Sequence, residues 1–230
     1  MKLFRTDRQL TPSWDLVPIS FGLVKSNIWA VIYLSLLPTL LVSIGSTLLG
    51  AGSNHATGVR LLGAIGLILV GVVWLIATAP GLIYLELQAV QGRTPSAMDS
   101  FRRGTPLILK YIQLLLILGL VLTFGFLAFI IPGLILLRGL LLAYFYMIDK
   151  NLTVTAALKQ SFAASKPHAG YIWGIIGVSF LFSLVSFSLG RLPIVGPLLS
   201  LGISSIFMFA PALRYSEIEL KLDPKSLKVV

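Results

Sequence analysis

The sequence contains no cysteine, which excludes a disulfide framework, a thiolate metal site and a catalytic thiol. The same absence removes redox chemistry as a guide to compartment. Charge is scarce as well: 11% of residues are Asp, Glu, Lys or Arg, against roughly 25% in an ordinary soluble domain. No HExxH, GxSxG or P-loop spacing occurs, so the common metalloprotease, nucleophile-elbow and nucleotide signatures are missing. What the chain has in quantity is hydrocarbon, with 57% hydrophobic residues among 230. A soluble core of that size cannot hide so many apolar side chains, and the composition puts the chain in the membrane class.

Apolar runs of about 20 residues, the length that crosses roughly 30 Å of hydrocarbon, fall near 28–50, 61–85, 107–131, 133–148, 170–190 and 194–213. Arg138 is the one charge lying well inside a run. The first 27 residues lack the regions of a cleaved signal peptide, so the first helix is expected to act as an uncleaved insertion signal. The net charge of +10 suggests nucleic acid in a soluble protein, but here its placement between apolar runs points instead to a membrane surface. Fifteen of the Lys and Arg residues fall on one side of the alternating loops, and only Arg60 and Arg191 on the other. The positive-inside rule then puts both termini in the cytoplasm.

A short motif recurs. "SFGLVKSNIWAVIYL" from Ser20, "SFRRGTPLILKYIQL" from Ser100 and "SFAASKPHAGYIWGI" from Ser161 each set Ser-Phe ahead of an apolar run. The residues around them read as short surface helices, with Thr94 capping and Pro95 at the first helical position in the second, and Thr153 or Thr155 capping the third. In the third, Ala156, Leu158, Phe162 and Ala163 give an apolar face, while Lys159, Gln160 and Lys166 reach water and phosphate. The exits repeat too. "APGLIYLEL" from Ala79 and "APALRYSEI" from Ala210 predict kinks at Pro80 and Pro211, Tyr84 and Tyr215 at headgroup depth, and Glu86 and Glu217 emerging into the cytoplasm. The expected outer turns are "AGSNHATG", "IIPG" and "GRLP", and the small residues Gly170 with Gly174, Ser46 with Gly50 and Ser200 with Ser204 are candidate helix contacts.

Few polar residues invite a chemical role. Arg138 lies about 9 Å along its helix from Pro132 at 1.5 Å per residue. From there it can snorkel toward headgroups or find freed carbonyls, Thr123 or water; it can also form an anion or lipid-headgroup site. The basic residues Arg102, Arg103, Lys159 and Lys166 are further candidate lipid contacts. Metal ligation needs convergent ligands, and the surroundings of His55 and His168 supply none in sequence. Glu86, Asp99, Asp149, Glu217 and Glu219 read as solvated, salt-bridged acids at the interface. A transporter calls for acids or broken helices at mid-membrane. The sequence places no acid there and its prolines near the helix ends.

The stretch "IIPGLILLRGLLLAYFYMIDKNLTVTAALKQSFAASKPH", with "TPSAMDSFRRG" before it, resembles the six-helix bacterial membrane proteins grouped with YciC-like proteins and with the membrane domain of glycerophosphoryl diester phosphodiesterases. The matching positions are Pro132, Gly133, Arg138, Asp149, Ala157, Leu158, Lys159 and Ser161, and the resemblance covers roughly residues 94 to 220. It implies a bacterial inner membrane and the same six-helix fold. The phosphodiesterase relatives carry catalysis in an additional soluble domain, so the resemblance implies no activity for this chain.

The sequence thus predicts one all-α transmembrane domain over 1–230: three antiparallel hairpins, each preceded by an amphipathic surface helix, both ends cytoplasmic. The expected function is non-enzymatic, organising lipid or serving as an accessory or scaffold subunit. The alternative is a transporter or channel for a small amphiphilic or anionic substrate. The expected partners are membrane lipids, chiefly anionic headgroups of the cytoplasmic leaflet, with a membrane-protein partner or a second copy as further candidates. No cofactor, metal or nucleic acid is expected.

Overall fold

In the computed structural model the described residues are 10–50, 58–190 and 196–224. Every regular element among them is helical. In chain order the α-helices are α1 (Leu16–Ser26), α2 (Ile28–Val31), α3 (Leu37–Gly50), α4 (Gly58–Ala89), α5 (Ala97–Gly104), α6 (Ile108–Ala128), α7 (Ile130–Leu140), α8 (Ala143–Asp149), α9 (Val154–Ser165), α10 (Ala169–Gly190), α11 (Gly196–Ile206) and α12 (Ala210–Tyr215). Among the described residues six helical stretches are long and apolar enough to cross a membrane: Ile28–Leu49, Arg60–Ala89, Ala97–Ala128, Ile130–Asp149, Ala169–Gly190 and Leu198–Leu220. The expected first and third outer turns, with His55 and Arg191, lie largely or wholly outside the described residues, as do the terminal Lys2, Arg5, Arg8, Lys225 and Lys228.

The second turn is not "IIPG". Phe129 alone is extended, at φ −166° and ψ 155°, between α6 and α7, and Pro132 sits in the first turn of α7, where its missing amide hydrogen is tolerated. So sharp a reversal needs bare backbone. A Cβ on Gly133 would stand 2.4 Å from the Phe126 ring, and one on Gly125 2.6 Å from the Leu136 side chain.

The small residues that join helices also differ from expectation. A Cβ on Gly45 would meet the Ile68 side chain at 2.6 Å, and one on Gly71 would meet the Val42 side chain at 2.7 Å, so α3 and α4 approach backbone to backbone while running in opposite directions. Ser46 and Ser204 are exposed instead, each bonded to its own helix. Gly170 faces open space, whereas Gly174 packs on Ser13 and Ser200 lies opposite Gly190 of α10, so these two of the expected positions do make contacts between elements.

Two spans are broken near their middles. The fourth divides at Leu141–Leu142, with Leu142 at φ −94° and ψ 2°. The sixth divides at residues 207–209, just ahead of Pro211, whose ring and missing donor prevent α11 from running on into α12. Pro80, by contrast, lies inside the unbroken 32-residue α4. The first span holds a π-turn at Ile32–Leu36, and the Thr78 hydroxyl reaches its Leu34 carbonyl at 2.8 Å from α4.

The three Ser-Phe motifs share burial of the serine. Ser20, Ser100 and Ser161 are each fully buried, at 0% exposure. From α9, Ser161 donates its hydroxyl to the Gly139 carbonyl at 2.7 Å, just before the break in the fourth span. From α1, Ser20 accepts the Phe209 amide at 3.2 Å, at the break in the sixth. From α5, the Ser100 carbonyl lies 2.9 Å from where a Gly81 Cβ would be, beside Pro80 in the second span. Each short helix is therefore docked on protein: the Ser20 and Ser161 hydroxyls satisfy backbone at the breaks in two long spans, whereas the Ser100 hydroxyl is buried without a hydrogen-bond partner. Serine suits all three positions because it is small, and at Ser20 and Ser161 because its hydroxyl accepts as well as donates.

The core gathers at one end of the bundle, around Leu16, Leu34, Leu85, Leu142, Met147 and Ile172, all essentially buried. At the other end Phe124, Leu127, Phe129, Ile130 and Phe187 are more than 60% exposed, the pattern of side chains that meet lipid.

Candidate functional site

The five expected cations do not form one site. Arg102 and Arg103 lie in the last turn of α5, exposed, where positive charge complements the negative end of the helix dipole. Helix α5 begins two residues later than Thr94 and Pro95 predict. Ser96 is the cap, accepting the Asp99 amide at 3.1 Å while donating its hydroxyl to the Asp99 carboxylate at 2.7 Å. The Arg103 guanidinium lies 5.6 Å from the centre of the Tyr84 ring. Tyr84, Pro95, Asp99, Arg102 and Arg103 enclose a pocket of about 360 Å³. Neither arginine pairs with an acid among the described residues.

Lys159 and Lys166 belong to α9 and the turn after it, both exposed, with Lys166 5.7 Å from the centre of the Phe162 ring. The helix caps at Thr153 without a side-chain bond. Its buried face is Val154, Ala157, Ser161 and Ser165, not the expected face of Ala156, Leu158, Phe162 and Ala163. The reason is the partner: α9 packs on α7 and α8, and protein backbone admits small residues closer than lipid requires. Phe162 fills the space above Gly139, where a Cβ would stand 2.2 Å from the ring.

Arg138 is half-buried in the last turn of α7, three residues before the break. Its Nε is buried without a hydrogen-bond partner, and no acid among the described residues pairs with the guanidinium. The nearby Gly139 carbonyl is taken by Ser161.

A polar cluster that the sequence reading placed in water is instead packed inside. Arg214 and Glu217 form a buried ion pair at 2.5 Å. Arg214 also donates to the Thr11 carbonyl at 2.7 Å, and Glu217 accepts the Thr11 amide at 2.9 Å, so the pair grips both faces of one residue of the amino-terminal segment. The Arg214 guanidinium lies 5.2 Å from the centre of the Tyr171 ring. Tyr215, fully buried within the protein, donates to Asp149 at 2.6 Å, and Tyr146 donates to Glu219 at 2.8 Å, with Lys150 paired to Glu219. The two tyrosine rings meet edge-on at 4.9 Å. Glu86 is only 7% exposed, with no hydrogen bond or ion pair from its carboxylate to a described residue. Thus Glu86 and Glu217 do not emerge; Asp149 and Glu219 are salt-bridged or hydrogen-bonded as expected of acids at a helix end. The repeated "APxLxY" exit carried the only sequence signal of this cluster, and it marked position without marking burial.

His168 is half-buried against this cluster. Burial holds its imidazole below the usual histidine range, the Arg214 guanidinium pushes the same way, and Glu217 opposes both. Among the described residues no three His, Asp or Glu side chains converge as metal ligands.

Chemically, the buried cluster is a clasp: apart from the Arg214 Nε, which is buried without a hydrogen-bond partner, its charged and hydroxyl groups are engaged with one another across the amino-terminal segment, α8 and the end of the sixth span. The outward arginines and lysines of α5 and α9 are the groups with donors to spare. No family model, curated protein or solved structure matches this chain.

Proposed function

We propose that this is a non-enzymatic integral membrane protein that organises anionic lipid at the cytoplasmic leaflet, with both termini on that side and six helices arranged as three hairpins. One observation carries the reading. The short helices α5 and α9 bury their serine and small-residue faces in protein and leave Arg102, Arg103, Lys159 and Lys166 outward without acidic partners. A collar of that kind attracts anionic headgroups at about 1 kcal/mol per basic side chain near the surface. The equivalent docking of Ser20, Ser100 and Ser161 supports the three-hairpin arrangement, and the resemblance to YciC-like proteins supports a bacterial inner membrane. The test is extraction into nanodiscs without detergent, followed by mass spectrometry of everything that accompanies the chain. Enrichment of anionic over zwitterionic lipid is expected; lipid in the proportions of the parent membrane overturns the reading, and a stoichiometric protein partner makes the chain an accessory subunit instead.

The broken fourth and sixth spans favour a second reading, a transporter for a small anionic amphiphile. Discontinuous membrane helices expose backbone carbonyls and amides where a substrate can bind, and Arg138 stands three residues from one break. Flux of a fluorescent anionic amphiphile into proteoliposomes, abolished by Arg138→Gln, is the result that separates this reading from the first.

A further inference from the structure

Helix α4 carries two clefts along one stripe. Val70, Val73, Ala77, Gly81 and Tyr84 follow one another at three- and four-residue spacing and so share a face. Over the first three runs an apolar groove of about 430 Å³, walled by Tyr33, Trp74 and Phe101. The Tyr33 and Trp74 rings meet edge-on at 5.5 Å, which fixes one wall. Helix α5 then crosses at Gly81, where a Cβ on Gly104 would stand 2.3 Å from the Gly81 nitrogen. Beyond the crossing lies the polar pocket of Tyr84, Asp99, Arg102 and Arg103. The short helix therefore turns Phe101 to the groove and the two residues after it to the pocket.

The dimensions suit one amphiphile. From Leu69 to Ala77 the groove covers about 12 Å of helix, and Tyr84 lies about 10 Å further on, at 1.5 Å per residue. One leaflet of hydrocarbon is about 15 Å deep. The charges suit an anion: the one carboxylate in the pocket, Asp99, is held by Ser96, and neither arginine has an acidic partner among the described residues. A guanidinium offers a planar fork of donors that matches phosphate oxygens.

We propose that this face of α4 seats one anionic phospholipid, its phosphate on Arg102 and Arg103 and one acyl chain in the groove between Tyr33, Trp74 and Phe101. The proposal rests on the lipid-organising reading above and narrows it from a collar to a single seat. The full-length chain is placed in nanodiscs of phosphatidylcholine with a minor fraction of phosphatidylglycerol, and the lipids retained on release are counted by native mass spectrometry. The wild type keeps one phosphatidylglycerol. Arg102→Gln with Arg103→Gln lowers its relative affinity tenfold or more. Ala77→Phe, which fills the groove and leaves both arginines, lowers retention as well. Lys159→Gln with Lys166→Gln leaves the retained copy in place. All of these side chains are at least partly exposed, and equal thermal stability of the variants shows that folding is unaffected. If the two double variants lose lipid equally, or if Ala77→Phe has no effect, the seat is overturned while the collar stands. If the wild type shows no preference for phosphatidylglycerol, both fall.

Discussion

The Arg214 guanidinium and the Glu217 carboxylate pair at 2.5 Å with side chains 0% and 4% exposed, and together they hold Thr11 by its amide and its carbonyl. The bond spans 203 and 206 residues of sequence, so the clasp ties the amino-terminal segment to the last helix. Removing either charged partner strands the other in a water-poor site. Arg214→Gln or Glu217→Gln should each lower stability by about 3–5 kcal/mol, while Arg214→Met with Glu217→Met together should lose less than the sum of the two, since it strands no charge and only the Thr11 amide and carbonyl go unpaired. Thermal unfolding in mild detergent measures both; small losses that simply add in the double variant would mean that the pair is solvated.

The two tyrosine–carboxylate bonds join α8 to the end of the sixth span. Tyr146→Phe and Tyr215→Phe should each lower stability by about 1.5–3 kcal/mol, the range for hydrogen bonds to charged groups. Because their rings also touch, the double variant should depart from additivity, which the same unfolding measurement reads.

Helix α5 leaves no space at its crossing with α4. Gly104→Val should lower stability by about 1–3 kcal/mol and release α5, since backbone rather than a flexible side chain stands in the way. Faster proteolysis within residues 91–104 is the expected sign. A cleavage pattern unchanged from wild type would place the two helices further apart.

At the break in the fourth span, Ser161→Ala should lower stability by about 1 kcal/mol through the freed Gly139 carbonyl, and Ser161→Thr should fail to rescue it for want of room. Faster hydrogen exchange in α8, relative to α4, locates the effect.

The depressed His168 gives the fold a pH dependence. Folded, its imidazole resists protonation, so the unfolded chain binds more protons between the folded value and the ordinary 6.5. Its contribution to stability is complete above about 6.5 and is lost as pH falls through the folded value. His168→Gln should flatten the unfolding temperature over that window; an unchanged slope assigns the pH dependence to other groups.

The sequence by itself determined the helical class and the six apolar runs, because hydropathy over 20 residues and the placement of Lys and Arg are local properties of the chain. It also located the three serines, Ser20, Ser100 and Ser161, through their repeat. What those serines do was decided by tertiary structure alone: the Ser20 and Ser161 hydroxyls bond backbone at Phe209 and Gly139, while Ser100 packs its backbone on Gly81, which no spacing in the motif encodes. The turn moved to Phe129 because Gly125 and Gly133 let α6 and α7 close around a single extended residue, whereas the proline that drew attention sits comfortably in a first helical turn. Arg214, Glu217 and Tyr215 look from sequence like the charged, wet exit of a last helix, and Glu86 like that of the second. The last-helix residues are buried because the amino-terminal segment, α1 and α10 pack over them, and Glu86 because α4 packs on α6, α8 and α12; a long-range covering of that kind leaves no mark in local hydropathy.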